Sequence, residues 1–207
     1  MSKKIILFDI DRTIFDTDKP SMTRNEVILN ILNNQPRDEF NSVKEEYKST
    51  LKNEREYVPE DYIKMLCKKY NFKNVNALLD TYYGEKYNIL YKNSVYPEFF
   101  SVVEKLKNEY RIGIFSEGYK RFRENRLKAM EIDRYLDDEL IFMFDEKDTN
   151  EAVSNIPSGA IIVDDKERIC DFLFEKNIDC IWLNRKDERR SDKYRTIHTL
   201  LELLDIL

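Results

Sequence analysis

The segment KKIILFDIDRTIFDT, residues 3–17, decides the fold. Four apolar residues in a row, Ile5 to Phe8, give way to Asp9, Ile10 and Asp11. An apolar run of this length that stops at acids reads as a strand buried on both faces, with polar groups at its carboxyl end. Three more runs share the form: YRIGIFSEG at 110–118, GAIIVDD at 159–165 and DCIWLNR at 179–185. A weaker one is ELIFMF at 139–144. Helical patterns lie between them. In PEFFSVVEKLKNEY, Phe99, Val103, Leu106 and Tyr110 recur at spacings of three or four, and KRFRENRLKAM and RICDFLFEKN behave alike. Strands alternating with helices imply an α/β protein whose parallel sheet is covered on both faces.

Residues 18–93 differ, because no run there reads as a strand. MTRNEVILNILNN has Thr23 as a candidate N-cap, RDEFNSVKEEYKSTL places Phe40, Val43, Tyr47 and Leu51 on one face, and PEDYIKMLCKKY starts at Pro59, a favoured first-turn residue. The expectation is a helical domain at 18–93, inserted into a core made of 1–17 and 94–207. Tyrosines at 47, 57, 62, 70, 82, 83, 87 and 91 concentrate there, with Tyr96 at the border, as expected of a small aromatic-rich bundle.

Composition narrows the function classes. The chain of 207 residues is 42% hydrophobic, enough for a real core, and its net charge of −5 argues against non-specific nucleic-acid binding, which needs a basic face. Cys67, Cys170 and Cys180 show no zinc-site spacing and read as reduced thiols, two of them near the core. The single histidine, His198, reads as structural, so histidine-based catalysis is not expected. No signal peptide and no apolar run of membrane-spanning length is visible, so the expected location is the cytoplasm.

In an open parallel sheet, ligands bind beyond the carboxyl ends of the strands. Those ends supply Asp9, Asp11 and Thr13; then Ser116, Glu117 and Gly118; then Asp145, Glu146 and Lys147; then Asp164 and Asp165. Clustered carboxylates repel and raise one another's pKa, a conflict that a divalent cation relieves. An all-oxygen site with two or three carboxylates suits Mg²⁺, which in turn offers a seat for a phosphoryl group. Lys147 and the Ser116 hydroxyl can stabilise that group's oxygens.

The order of these segments resembles the haloacid dehalogenase-like (HAD) hydrolase superfamily. FDIDRTIFDT is similar to its first motif, IFSEG to its second, Lys147 in FDEKDTNEA to its third and IIVDDKERI to its fourth. The resemblance implies a three-layer Rossmann-like core, with the helical insertion as its cap domain. It implies that Asp9 is the nucleophile and becomes an aspartyl phosphate, and that Asp11, oriented partly through Thr13, is the general acid and base. Asp9, Asp11 (by its carbonyl) and Asp165 would bind Mg²⁺, with Asp164 in support through water. Ser116 and Lys147 would hold the phosphoryl group, with Thr13, Glu117 and Gly118 as further substrate-binding residues, the last through a backbone amide close to the phosphate. Lys166 is the alternative to Lys147.

Two departures stand out: Arg12 where many members carry Gly, and Ile169 where relatives place Asp or Asn, with Glu167 as a possible substitute. The expected activity is hydrolysis of a small phosphorylated metabolite. Arg24, Tyr47 and Arg55 are candidate substrate contacts in the cap. A phosphomutase is the alternative, since the phosphoryl group could pass to a second hydroxyl, as is a non-catalytic or receiver-like phospho-ligand module. Superfamily members that cleave carbon–halogen bonds lack the second aspartate, so Asp11 argues against dehalogenation.

Overall fold

The computed structural model describes residues 3–52 and 57–207. Their contacts divide into two units. The first comprises 1–17, 95–117 and 132–207; the second comprises 18–94 and 118–131.

The first unit is built on a six-stranded sheet: β1 (Lys4–Phe8), β2 (Tyr110–Glu117), β3 (Ile141–Phe144), β4 (Ile161–Asp164), β5 (Asp179–Leu183) and β6 (Arg195–Ile197). All neighbouring strands run parallel, in the order β3-β2-β1-β4-β5-β6. This is the Rossmann-like α/β core expected from the sequence. Ile6, Leu7 and Phe8 of β1 are fully buried, as a central strand with neighbours on both sides requires. Gly113 of β2 is a packing necessity: a Cβ there would lie 2.3 Å from the Leu140 carbonyl oxygen and 2.6 Å from a Leu7 methyl. The helices of this unit are those at Pro97–Leu106, Asn150–Ser154, Glu167–Glu175 and Leu203–Ile206. Pro97 opens the first of them, whose apolar face buries Phe99, Val102, Val103 and Leu106. The helix stops at Leu106, so Tyr110 belongs to β2 and not to the helical face predicted for it.

The second unit holds the helices Asp18–Ile31, Arg37–Ser49, Pro59–Lys69, Val75–Tyr83, Asn88–Lys92 and Lys120–Ala129; among its described residues there is no strand. In chain order, the ten helices of the two units are labelled α1 to α10, so α6 is Pro97–Leu106, α7 Lys120–Ala129, α8 Asn150–Ser154 and α9 Glu167–Glu175. Phe40, Val43 and Tyr47 of α2 are buried together with Tyr62, Leu66 and Tyr82, as the spacing predicted.

Three boundaries differ from expectation. α7 packs with the helical unit instead of the core. Phe122 sits edge-on against Tyr82 and Tyr83, and Asn125 donates to the Tyr82 carbonyl at 3.3 Å. Thr23 is not an N-cap, because α1 already begins at Asp18; its hydroxyl donates back to the Lys19 carbonyl one turn earlier. The edge strand β6 was not foreseen, since three residues are too few to show an alternation.

Candidate active site

Strand order reverses about β1 and β4, and Asp9 and Asp164 lie at that junction. Asp9 directly follows β1, and its amide donates to the Val163 carbonyl at 2.9 Å, extending the β1–β4 pairing by one step. Asp164 ends β4 and Asp165 follows it. A crevice at such a reversal is where open α/β sheets bind ligands. The sheet thus turns four separated stretches of sequence into one constellation.

Lys147 lies at its centre and is fully buried. Its ammonium donates to Asp9 Oδ1 at 2.7 Å, to Asp164 Oδ2, and to the Phe115 carbonyl at 3.4 Å. Burial disfavours the ammonium, but Asp164 and Asp9 outweigh it and hold its pKa above the ordinary lysine value. The loop between β3 and α8 fixes the backbone: Lys147 N donates to Glu117 Oε2 at 3.0 Å, and Thr149 caps α8 by accepting from Ala152 N at 3.1 Å. Lys166, the alternative lysine, points instead to Glu117 Oε1 at 2.7 Å.

Oxygen atoms of Asp9, Asp164 and Asp165 lie within 4.8 Å of one another. Burial, with Asp9 and Asp164 beside it, pushes the Asp165 carboxyl up to about 8. Burial likewise pushes Asp164 up to about 6, against the pull of Lys147. Asp9 Oδ2 and Asp165 Oδ1 are buried with no hydrogen-bond partner among the described residues. Two orphaned carboxylate oxygens facing a crowded acidic cluster are the donor set of a hard divalent cation, so these residues fit Mg²⁺. Asp164 differs: Lys147 takes its Oδ2, and Lys166 N donates to its Oδ1 at 2.9 Å. Both its oxygens are therefore occupied by protein donors.

Asp11 is half-buried in the turn after β1, where Arg12 N donates to Phe15 O at 2.8 Å and Phe15 N to Ile10 O at 3.0 Å. Its Oδ1 accepts from the Thr17 hydroxyl at 2.9 Å. Thr17, not Thr13, therefore orients it; the Thr13 hydroxyl is buried without a hydrogen-bond partner among the described residues. Arg12 adopts φ 57°, a left-handed conformation that glycine takes freely and other residues take at a cost. Arg185 braces that turn. Its Nε donates to the Arg12 carbonyl and a terminal nitrogen to the Thr13 carbonyl, each at 3.0 Å, while it pairs with Glu98 and lies 4.1 Å above the Tyr96 ring.

Ser116 is buried on β2, opposite Met143 of β3. Glu117 is also buried, and its carboxylate is committed to Lys147 N, the Lys166 ammonium and the Arg168 guanidinium. Burial pushes it upward, but Lys166 and Lys147 bring it down to about 2. Both carboxylate oxygens are thus engaged by protein donors. Gly118 has φ 116°, and a Cβ there would meet the Arg123 guanidinium at 2.6 Å, so both backbone and space require glycine. Ile169 is core, packed with Leu173 and Trp182, and Glu167 is paired with Arg189 at 2.7 Å instead of standing in for a metal helper. Trp182 Nε1 donates to the Asp165 carbonyl at 3.1 Å.

Two of the cap candidates are engaged within the helical unit. Arg24 is buried inside the helical unit, donating to Thr81 O at 3.1 Å and Tyr91 OH at 2.7 Å; the Tyr47 hydroxyl both donates to Val58 O and accepts from Val58 N at 3.1 Å. Arg55 lies outside the described residues. His198 Nδ1 lies 2.8 Å from the Asn184 carbonyl oxygen. The three cysteines are free and buried, with Cys170 and Cys180 in sulfur contact at 2.8 Å. No helix of the described residues is long and apolar enough to cross a membrane. Thr17, Arg185 and Trp182 were not foreseen. Thr17 stood inside the first motif, whereas Arg185 and Trp182 act through contacts that no local pattern encodes.

Solved structures with the same fold include the HAD phosphatase from Thermococcus onnurineus, 21% identical over 98% of this chain and 97% of that one, with a TM-score of 0.63. The magnesium-bound structure of the HAD-type protein YfnB from Bacillus subtilis is 20% identical over 100% of this chain and 99% of that one, also at TM-score 0.63. A dehalogenase structure matches at 18% identity over 100% of this chain and 97% of the other, with a TM-score of 0.58. No curated protein sequence matches the chain. Residues 6–149, well over half of the chain, match the family of haloacid dehalogenase-like hydrolases. The chain belongs to that family of hydrolases.

Proposed function

We propose that this protein is a magnesium-dependent phosphohydrolase that cleaves a small phosphorylated metabolite. The observation that carries the reading is the acidic junction of Asp9, Asp164 and Asp165 around the Lys147 ammonium, with Asp11 two residues beyond Asp9. Mg²⁺, held by the Asp9 and Asp165 side chains and the Asp11 carbonyl, would supply positive charge for the phosphoryl oxygens. Asp164, with both oxygens engaged by Lys147 and Lys166, supports that set by orienting the lysine.

In the first step an Asp9 oxygen attacks phosphorus and forms the aspartyl phosphate, while the ester P–O bond breaks. Asp11 gives its proton to the departing oxygen. In the second step Asp11, now a carboxylate, takes a proton from water. That water attacks phosphorus, the P–O bond to Asp9 breaks, and inorganic phosphate leaves. Lys147 and the Ser116 hydroxyl stabilise the phosphoryl oxygens, helped by backbone groups near Thr13, Glu117 and Gly118.

Asp11 also separates this reading from carbon–halogen cleavage, since a departing halide needs no proton. Thr17 holds Asp11 by a 2.9 Å hydrogen bond, an investment in a proton donor that dehalogenation would leave idle. The helical unit serves as the cap that sets specificity, and the cytoplasm is the proposed location. The test is release of inorganic phosphate from p-nitrophenyl phosphate with Mg²⁺ and with EDTA, followed by a panel of phosphorylated metabolites. Magnesium-dependent release supports hydrolysis, an isomerised sugar phosphate without released phosphate supports a mutase, and no turnover in any assay counts against both.

A further inference from the structure

Lys166 is adjacent to Asp165, and its backbone amide is already bound to Asp164 Oδ1 at 2.9 Å. A mobile ammonium at that position is a rival to any cation, because Asp165 Oδ1 is buried with no hydrogen-bond partner among the described residues. The Lys166 side chain is instead engaged by Glu117. Its Oε1 accepts from the Lys166 ammonium at 2.7 Å and from Arg168, while Oε2 accepts from Lys147 N at 3.0 Å. Arg168 has a second carboxylate in Asp148, but among the described residues Glu117 is the one carboxylate paired with Lys166. Glu117 is 1% exposed, so water does little to screen the pairing.

We infer that Glu117 is a positioning residue which holds the Lys166 ammonium away from Asp165 and so keeps that carboxylate open to a divalent cation. The inference rests on the metal reading given above. Charge at this edge is arranged in two tiers: Lys147 faces the acids from within, and Lys166 is held back by a carboxylate of its own. Replacing Glu117 with Gln keeps the shape and removes the charge that retains Lys166. The freed ammonium then turns to the nearest unpaired carboxylate, and cation binding weakens. Removing the ammonium as well restores it, an outcome that simple loosening of the Lys147 loop does not produce.

The experiment is titration calorimetry of Mg²⁺ alone into the EDTA-treated full chain, near pH 7.5 and at fixed ionic strength. The variants are Glu117→Gln, Lys166→Met, their combination, and Asp165→Asn as the control. The expected result is Mg²⁺ affinity about tenfold weaker in Glu117→Gln, the scale of one partly screened charge pair. The double variant is expected to return to within about twofold of Lys166→Met, since removal of the ammonium removes the rival. Unchanged affinity in Glu117→Gln, or a double variant as weak as Glu117→Gln, overturns the inference. Where Asp165→Asn abolishes binding and Glu117→Gln does not weaken it, the metal reading stands and only the Glu117 inference falls. Absence of Mg²⁺ binding by the unaltered chain overturns both. If Glu117→Gln does not fold, as judged by circular dichroism, Glu117→Asp takes its place with the same expectations, its shorter reach releasing Lys166.

Discussion

The Lys147 ammonium sits 2.7 Å from Asp9 Oδ1, although 138 residues separate the two in sequence. Both side chains are almost wholly buried, and Asp164 shares the lysine. Lys147→Met leaves two buried carboxylates without their cation. Removing one partner of a buried pair costs about 3–5 kcal/mol, so the metal-free variant should melt well below the parent. With Mg²⁺ present, phosphatase turnover should fall by roughly two to three orders of magnitude, since an electrophilic group is lost. Thermal melts and kcat measurements read the two effects separately.

Asp9→Asn tests the nucleophile. The amide fits the space but cannot attack phosphorus, so hydrolysis should fall by about 10⁴-fold or more. Trapping of an acid-stable, base-labile phosphoryl-enzyme from labelled substrate should succeed with the parent and fail with this variant. Turnover retained in Asp9→Asn contradicts the mechanism outright.

Thr17 should matter in proportion to the difficulty of the leaving group. Its hydroxyl holds Asp11 at 2.9 Å, so Thr17→Val leaves the general acid less well aimed. A loss of roughly tenfold is expected for an alkyl phosphate, whose alkoxide must be protonated as it departs. p-Nitrophenyl phosphate, with a stable leaving group, should lose much less. Equal losses on both substrates count against this role.

Stability should depend on pH in opposite directions at the two ends of the range. Asp165 and Asp164 have pKa values raised to about 8 and about 6 in the folded chain. Between the ordinary carboxylate value and those points, the folded state holds protons that the unfolded state has released. The EDTA-treated protein therefore loses stability as pH rises from about 4 to about 8. Glu117, lowered to about 2, works the other way: its contribution is present above the ordinary value and disappears as pH falls toward 2. Mg²⁺ replaces the protons, so its benefit should grow toward pH 8. At a hundredfold excess over Kd it adds about 2.7 kcal/mol, a Tm rise on the order of 5–10 °C. Melts at pH 5 and pH 8, with and without Mg²⁺, check both signs.

The parts of the site visible in the sequence were those written as local pattern. Asp9 and Asp165 stood out because each follows an apolar run, and a parallel sheet brings such ends together. Lys147 was less distinct, since a lysine before a short helix has no special spacing; its burial against Asp9 is decided by tertiary packing. The engagement of Glu117 left no local signature, because its partners Lys166 and Arg168 come from the start of α9, 49 and 51 residues away. Thr17 lost to Thr13 because the turn at Ile10–Phe15 carries the chain back past Asp11, a fold that depends on the left-handed Arg12. α7 was assigned to the core on chain position alone, whereas its aromatic Phe122 belongs with the tyrosines of the bundle.

The register of the central strand has a consequence for synthesis. Lys4 pairs with Tyr110 and Ile6 with Ile161, so β1 leaves the ribosome long before either neighbour exists. At roughly 5–20 residues per second, the hundred or so residues to β2 take on the order of 5–20 s. Throughout that interval the strand KIILF, apolar but for Lys4, is unpaired in the nascent chain. Residues 18–94 of the helical unit are translated within the same interval, so their helices can form while β1 waits, and α7 joins them after β2. This early strand is thus among the last parts of the sheet to be completed, and slowed translation or chaperone shortage should show first as aggregation seeded by residues 4–8.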